Sequence, residues 1–332
     1  MPVGEIKAAA KRKAKDKVVR TAKRKVSNRG GGKKKSPVLI ILLVVLVIGA
    51  VGAAWHFGLL DGLLSGDETP AVIATDVNGT LEMHFIDVGQ ADAVFIIADN
   101  GDTMLIDAGD RRSGPRVVEY IQELGFTSIT YVVGTHPHAD HIGGMDLVIN
   151  AFDIQTFMMP DVTHTTQVFE RMIAALESDD NYVGEIISPT VGAVFNLGSA
   201  EFTIIHPGEG NQGGNLNNWS ISKRIVFGNV SMVTTGDAEV PAERAMLETG
   251  LNLNSTILRL GHHGSRTSTI QEFFDAVDPE IIIIQVGEGN RYGHPHDCVM
   301  ERVAGLRIYR NDLHGDIILT TDGTNIDIRT AR

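Results

Sequence analysis

The 332-residue chain contains a single cysteine, Cys298, so no disulfide can form within it. The fold must rest on its core, with bound metal as the other available clamp. Aromatic residues make up only 6% of the chain, and none of them interleave with basic residues in one stretch. A continuous groove that stacks bases and tracks a phosphate backbone is therefore not written into the sequence. No segment repeats itself, which excludes a solenoid. Between residues 36 and 60 there is no Lys, Arg, Asp or Glu at all.

What is present is unevenly distributed. Residues 1–35 carry fourteen Lys/Arg against Glu5 and Asp16, while the part after residue 60 carries 15 basic and 39 acidic residues. The two ends thus face different surroundings. The charge-free run at residues 37–60 exceeds the ~20 apolar residues that span a bilayer. Lys33, Lys34 and Lys35 precede it, and Trp55 lies near its end as an interfacial aromatic does. The expectation is a basic cytoplasmic tail (1–36), one transmembrane helix (37–60), a linker rich in Gly, Asp and Thr (61–79) and an extracytoplasmic domain (80–332) in the cell membrane. A cleaved signal peptide is the competing reading, but its apolar region is shorter and follows a shorter basic stretch.

The domain opens with three β-rich runs, LEMHFIDVG, AVFIIAD and TMLIDAG, separated by turn residues, as a β-meander. Helical and strand patterns then alternate. PRVVEYIQELG reads as a helix stopped by Gly125, ITYVVGTH as a buried strand and HIGGMDLVINAF as the next helix. TQVFERMIAALES is an amphipathic helix, and ISKRIVFGNVSMVTTGD a hairpin turning at Gly228-Asn229. VPAERAMLETG and DCVMERVAG read as helices, STILRLGHHGS and PEIIIIQVGEG as strands running into loops. The pattern implies an α/β (α+β) domain of two sheets covered by helices, with its polar loops at strand ends.

Those loops hold the chemistry. In GTHPHADHIGGM, His136 and His138 stand two apart, so an extended segment points both to one ion. Asp140 and His141 follow and reach a second ion beside it; imidazole and carboxylate suit zinc, manganese or iron. VTTGDAE places Asp237 after a strand, where a carboxylate bridges two ions. LRLGHHGS supplies His262 and His263, one to ligate and one to face substrate. Asp107 in MLIDAG orients ligand histidines from behind.

HPHADH, LIDAG, TGDAE and GHHGS, in this order, resemble the metallo-β-lactamase superfamily, from about Leu81 to the C-terminus. FIDVGQADAVFI, LGHHGS and the YGHPH of Tyr292 to His296 resemble one branch of it, the hydrolase domain of DNA-uptake competence (ComEC-like) proteins and their stand-alone relatives. The resemblance implies a four-layer αβ/βα sandwich and two divalent ions, Zn or Mn. It assigns His136 and His138 to the first ion, Asp140, His141 and His262 to the second, and Asp237 as the bridge. His262, first after the strand, is read as the ligand. Asp140, Asp237, His263 and His294 are the residues of the catalytic step, in which a water between the ions becomes the nucleophile. Most superfamily hydrolases have one more ligand histidine before the bridging aspartate. Here GGNLNNWSISKR offers Asn218 or Ser220 instead, which weakens the first ion's site. Competence-branch sequences often carry Asp in place of His138, so in this respect the chain has the fuller ligand set. Ser265, Tyr292 and His296 complete the residues expected near substrate.

The first functional expectation is a membrane-anchored phosphodiesterase, with DNA as the substrate the resemblance suggests. The acidic domain opposes broad binding of nucleic acid, because such binding rests on Lys/Arg contacts to phosphate. Hydrolysis of another envelope phosphoester or ester is the alternative. A non-catalytic metal-binding module is the third, opposed by six intact candidate ligands.

Overall fold

A computed structural model describes residues 77, 79–208, 210 and 212–332. The expected basic tail, transmembrane helix and most of the linker lie outside them. Among the described residues no helix is long and apolar enough to cross a membrane.

The meander forms as expected: β1 (Leu81–Phe85), β2 (Val94–Ile97) and β3 (Thr103–Ile106) pair antiparallel in turn. β4 (Ser128–Val133), β5 (Asp153–Met158) and β6 (Val183–Ile187) then add in parallel. A second sheet repeats this plan. β7 (Val194–Leu197), β8 (Ala200–His206), β9 (Ser222–Phe227) and β10 (Val230–Thr234) run antiparallel. β11 (Ile257–Arg259), β12 (Ile281–Ile284) and β13 (Arg307–Arg310) follow in parallel. β14 (Ile317–Thr321) and β15 (Ile326–Thr330) return to the first sheet, β14 beside β1. The orders are β15-β14-β1-β2-β3-β4-β5-β6 and β13-β12-β11-β10-β9-β8-β7.

The two sheets share a core. Met83, Phe85, Ile96 and Met104 of the first meet Phe202, Ile225, Phe227 and Met232 of the second. Each fully buried side chain of this kind stabilises by roughly 1.5–3 kcal/mol. Because strand side chains alternate, Phe95, Leu105, Val132 and Phe157 are buried on the opposite face of the first sheet. That face carries α1 (Gly114–Glu123), α2 (Ala139–Ile142), α3 (Met145–Ala151) and α4 (Gln167–Glu177); α1 buries Val117 and Ile121, and Phe126 just beyond it meets Phe95 edge-on. The outer face of the second sheet packs on α5 (Val240–Glu248), α6 (Gln271–Val277) and α7 (Asp297–Arg302), through Ala242, Met246, Phe273 and Val299. α8 (Asn311–His314) links β13 to β14.

The helix expected over HIGGMDLVINAF is split into α2 and α3 at Gly143-Gly144. The reason is close approach. A Cβ on Gly144 would run into Ala108 O and Gly114 Cα, and one on Gly143 into Ala139 O. This contact draws the histidine loop against the Asp107 turn. Strands β5, β6 and β7 were not foreseen. β6 and β7 are edge strands with only one fully buried side chain between them, Leu197, so their alternation is faint.

Candidate metal centre

The site lies where the parallel strands end. Beyond β4 come Thr135, His136 and His138; beyond β10, Asp237; beyond β11, His262 and His263; beyond β3, Asp107. Asp140, His141, Asp237 and His263 bring one ligand atom each within 4.8 Å of one another. His141 Nε2 lies 3.2 Å from Asp237 Oδ2. His263 Nε2 lies 3.5 Å from Asp140 Oδ2 and 3.8 Å from Asp237 Oδ2.

The ring orientations are set from behind. His141 Nδ1–H donates to Asp107 Oδ2 at 2.8 Å, and Asp107 also accepts from Thr135 N and Oγ1. His263 Nδ1–H donates to Gln285 O at 2.9 Å. Both rings therefore turn Nε2 into the cluster. His141 Nε2, His263 Nε2 and Asp237 Oδ1 are buried and have no hydrogen-bond partner. Three buried polar atoms of one cluster without a partner would each cost about 1–3 kcal/mol; a divalent cation, displacing any proton on His141 Nε2, would take up all three. The donor set fits zinc or manganese.

His136 and His138 form the adjoining half. His136 Nε2 is 2.9 Å from His138 Nδ1 and 4.0 Å from Asp237 Oδ2. Ser220 Oγ stands 3.3 Å from His136 Nδ1 and accepts from Asp237 N at 3.1 Å, so it braces both.

The titration of the protein groups follows their surroundings. Burial, reinforced by His141, holds His136 well below the usual histidine range, and His138 is lowered for the same reasons. At His141 burial is outweighed by the Asp237, Asp107 and Asp140 carboxylates, which hold it well above that range. Asp237 and Asp140 stay ionised despite burial because His141 and His263 face them. His294 is pushed down to about 4 by burial and by His263.

His262 does not join the four-residue cluster; His263 does. The expected order of the two is reversed by backbone geometry. Both residues adopt left-handed conformations, φ 52° and 55°, and this turn sends the second ring inward. His263 is 2% exposed at the side chain and His262 22%. His262 faces the cavity, with Nε2 3.6 Å from Asp237 Oδ2 and Nδ1 3.4 Å from Glu239 Oε1.

The cavity measures about 270 Å³, and Gln90, Asp140, Asn217, His262, Tyr292 and His294 are among its walls. Asn217 rather than Asn218 lines it. Asn218 Oδ1 accepts from Glu239 N at 3.2 Å and serves the turn. Ser265 is likewise spent internally, on Thr267. His296 Nδ1 accepts from Arg266 N and is not among the cavity walls. Tyr292 stacks on His294 with ring centroids 5.6 Å apart. The residues that the motifs left without a role are Gln90, Asn217, Gln285, and the pair Asp92 and Arg259. The FIDVGQADAVFI stretch was the signal for two of them.

Two sheets with a His/Asp cluster at the ends of their parallel strands define an αβ/βα sandwich with a candidate metal centre at one edge. The sequence pattern of the metallo-β-lactamase superfamily matches residues 86–287, and the chain belongs to that superfamily. Its relatives include the competence proteins. It is 27% identical over 255 residues to ComE operon protein 3 of Bacillus subtilis, covering 71% of this chain and 32% of that protein. It is 27% identical over 263 residues to recombination protein 2 of Haemophilus influenzae, covering 76% and 30%. To competence protein ComA of Neisseria gonorrhoeae it is 40% identical over 95 residues, covering 28% and 14%. The chain thus spans at most about a third of the length of these relatives.

Proposed function

We propose that this chain is a membrane-anchored, extracytoplasmic, metal-dependent phosphodiesterase. The observation that carries the reading is the cavity: Asp237 and His263, each with a buried atom that has no hydrogen-bond partner, stand among its walls with the buried His141 behind them, and among the described residues no Lys or Arg lines it. A phosphodiester has one negative charge, which bound cations neutralise unaided; the double charge of a monoester would call for a guanidinium or ammonium as well. His263, not His262, is the ligand in this reading, beside Asp140, His141 and Asp237 at the second ion, with His136 and His138 holding the first. Bound divalent ions supply Lewis-acid polarisation and lower the pKa of water at the site. The chain's own groups do the rest. Asp237 faces both halves of the centre. His294, neutral near pH 7, accepts from Gln90 Nε2 at Nδ1 and so offers Nε2–H to a substrate oxygen. His262 is placed to donate to the leaving oxygen. The half-exposed Tyr292 ring, backed by His294, presents a flat face that suits a nucleobase, and competence proteins stand among the relatives. DNA is therefore the first substrate to test. The membrane anchor rests on residues 37–60 and the lysines before them.

The acidity of the domain favours a second reading, another envelope phosphoester or ester. The test uses the full-length chain with Mn²⁺ or Zn²⁺ on bis-p-nitrophenyl phosphate, p-nitrophenyl phosphate and single-stranded DNA, beside Asp237→Ala and His138→Ala. The proposal expects cleavage of the diester and of DNA, little of the monoester, and loss of both activities in both variants. Diester cleavage without DNA cleavage selects the second reading. Bound metal with no cleavage of any of the three leaves a binding module.

A further inference from the structure

Arg259 ends β11 of the second sheet and is 1% exposed; Asp92, in the loop between β1 and β2 of the first, is 2% exposed. The two form an ion pair through Arg259 Nη2 and Asp92 Oδ2. Its contacts reach three residues of the four-residue cluster and the neighbour of the fourth. Asp92 Oδ1 lies 3.2 Å from His263 Nδ1 and Oδ2 3.5 Å from His141 Nδ1. Asp92 N donates to Asp140 O at 3.1 Å. Arg259 Nη1 donates to Gly236 O at 2.9 Å, one residue before Asp237. The two contacts to imidazoles approach them from their Nδ1 edges, opposite the Nε2 atoms that face the cluster; the other two hold the backbone at Asp140 and Gly236.

A second set of metal-capable groups lies there. Asp92, Asp107 and His141 also bring ligand atoms within 4.8 Å of one another. This set shares His141 with the first and would compete for an ion. The Arg259 guanidinium already sits against it, as a cation that neither leaves nor readily loses its proton.

We propose that Arg259 is a positioning residue of the metal centre, acting through Asp92. It neutralises Asp92, whose carboxylate backs the Nδ1 edges of His141 and His263 beside Asp107 and Gln285 O, and keeps metal in the Asp140–His141–Asp237–His263 set and out of the Asp92–Asp107–His141 set. The inference rests on the metal reading given above and adds what selects the place of the ion.

Cobalt(II) titration of the full-length chain tests it, read by the visible absorption of bound cobalt and by competition with a chelator. Arg259→Met is expected to lose about 10–100-fold in cobalt affinity and to change the cobalt spectrum, as Asp92 oxygen enters the coordination. Removing one partner of a buried pair also threatens folding, so Arg259→Lys and the charge-free Asp92→Asn/Arg259→Met double variant are measured beside it. The lysine keeps the charge but not both contacts, and should bind cobalt more weakly than wild type with a nearly unchanged spectrum. The double variant lacks the competing carboxylate and should regain the wild-type spectrum. Wild-type affinity and spectrum in both the lysine and double variants would overturn the proposal, even if their metal-free Tm falls, since that pattern is a purely structural pair. A wild-type chain that takes up no cobalt would overturn the metal reading and this inference with it.

Discussion

Replacing His263 by alanine removes one of the four donors that converge on a shared point, while replacing His262 removes a cavity wall. The cost follows from the geometry. His263 Nε2 has no hydrogen-bond partner and faces Asp140 and Asp237 at 3.5 and 3.8 Å; its ring is locked by Gln285 O, so no ordering entropy is spent on binding. Loss of such a ligand should weaken metal binding by about 1,000-fold, or about 4 kcal/mol. Free zinc at about 1,000 times the wild-type Kd stabilises the folded chain by about 4 kcal/mol, and His263→Ala forfeits nearly all of it. For a unit of this size roughly 2–4 °C of Tm accompanies each kcal/mol, so the zinc-dependent rise in Tm should shrink by about 8–16 °C. Comparing each variant with and without zinc cancels the cavity that alanine leaves. The assay is thermal unfolding in zinc and in chelator for wild type, His263→Ala and His262→Ala. His262→Ala should keep the zinc-dependent rise and lose turnover instead. The reverse pattern, with His263→Ala keeping it and His262→Ala losing it, would refute the assignment.

Three further predictions address the supports of the site. Asp107→Asn disturbs the carboxylate that holds His141 Nδ1–H and Thr135, and should lower zinc affinity about 10–100-fold in a chelator competition. Gly144→Ala forces a Cβ into Ala108 O and Gly114 Cα; urea unfolding should show a loss of about 1–3 kcal/mol, and the purified variant should carry less metal because α2 bears Asp140 and His141. Glu243, buried on α5 and accepting from Thr269 N and Ile270 N, is pushed up from 4.5 to about 7 by burial. A raised carboxyl favours the protonated folded state, so its contribution is full below its unfolded pKa and fades as pH climbs through the folded one. The loss is up to about 3 kcal/mol, and Glu243→Gln should flatten the fall in stability between about pH 5 and about pH 8.

The sequence disclosed the site unevenly, for physical reasons. His136, His138, Asp140 and His141 fall in one short loop after a buried strand, so their meeting is a local matter. Asp237 and Asp107 were legible because each closes a strand with a turn residue. Which of His262 and His263 points inward depended on two consecutive left-handed residues, and spacing alone does not reveal such a turn. Asn217 and Asn218 were confused for a similar reason: a 3-10 turn at Leu216–Trp219 decides which of two neighbours faces the cavity. Asp92 and Arg259 went unassigned because their partnership exists only once the two sheets face each other. Of the fold, the opening meander, the hairpin at Gly228-Asn229 and the longer helices were plain from periodicity and turn residues. The half-exposed strands β6 and β7 lacked the buried alternation that marks a strand.

The most direct measurement is the anomalous scattering of zinc in crystals of the full-length chain, collected on both sides of the zinc edge. The account predicts a peak bounded by Asp140, His141, Asp237 and His263, with any second peak beside His136 and His138. A peak in the Asp92–Asp107–His141 set, or zinc held by His262 while His263 stands free, would contradict it.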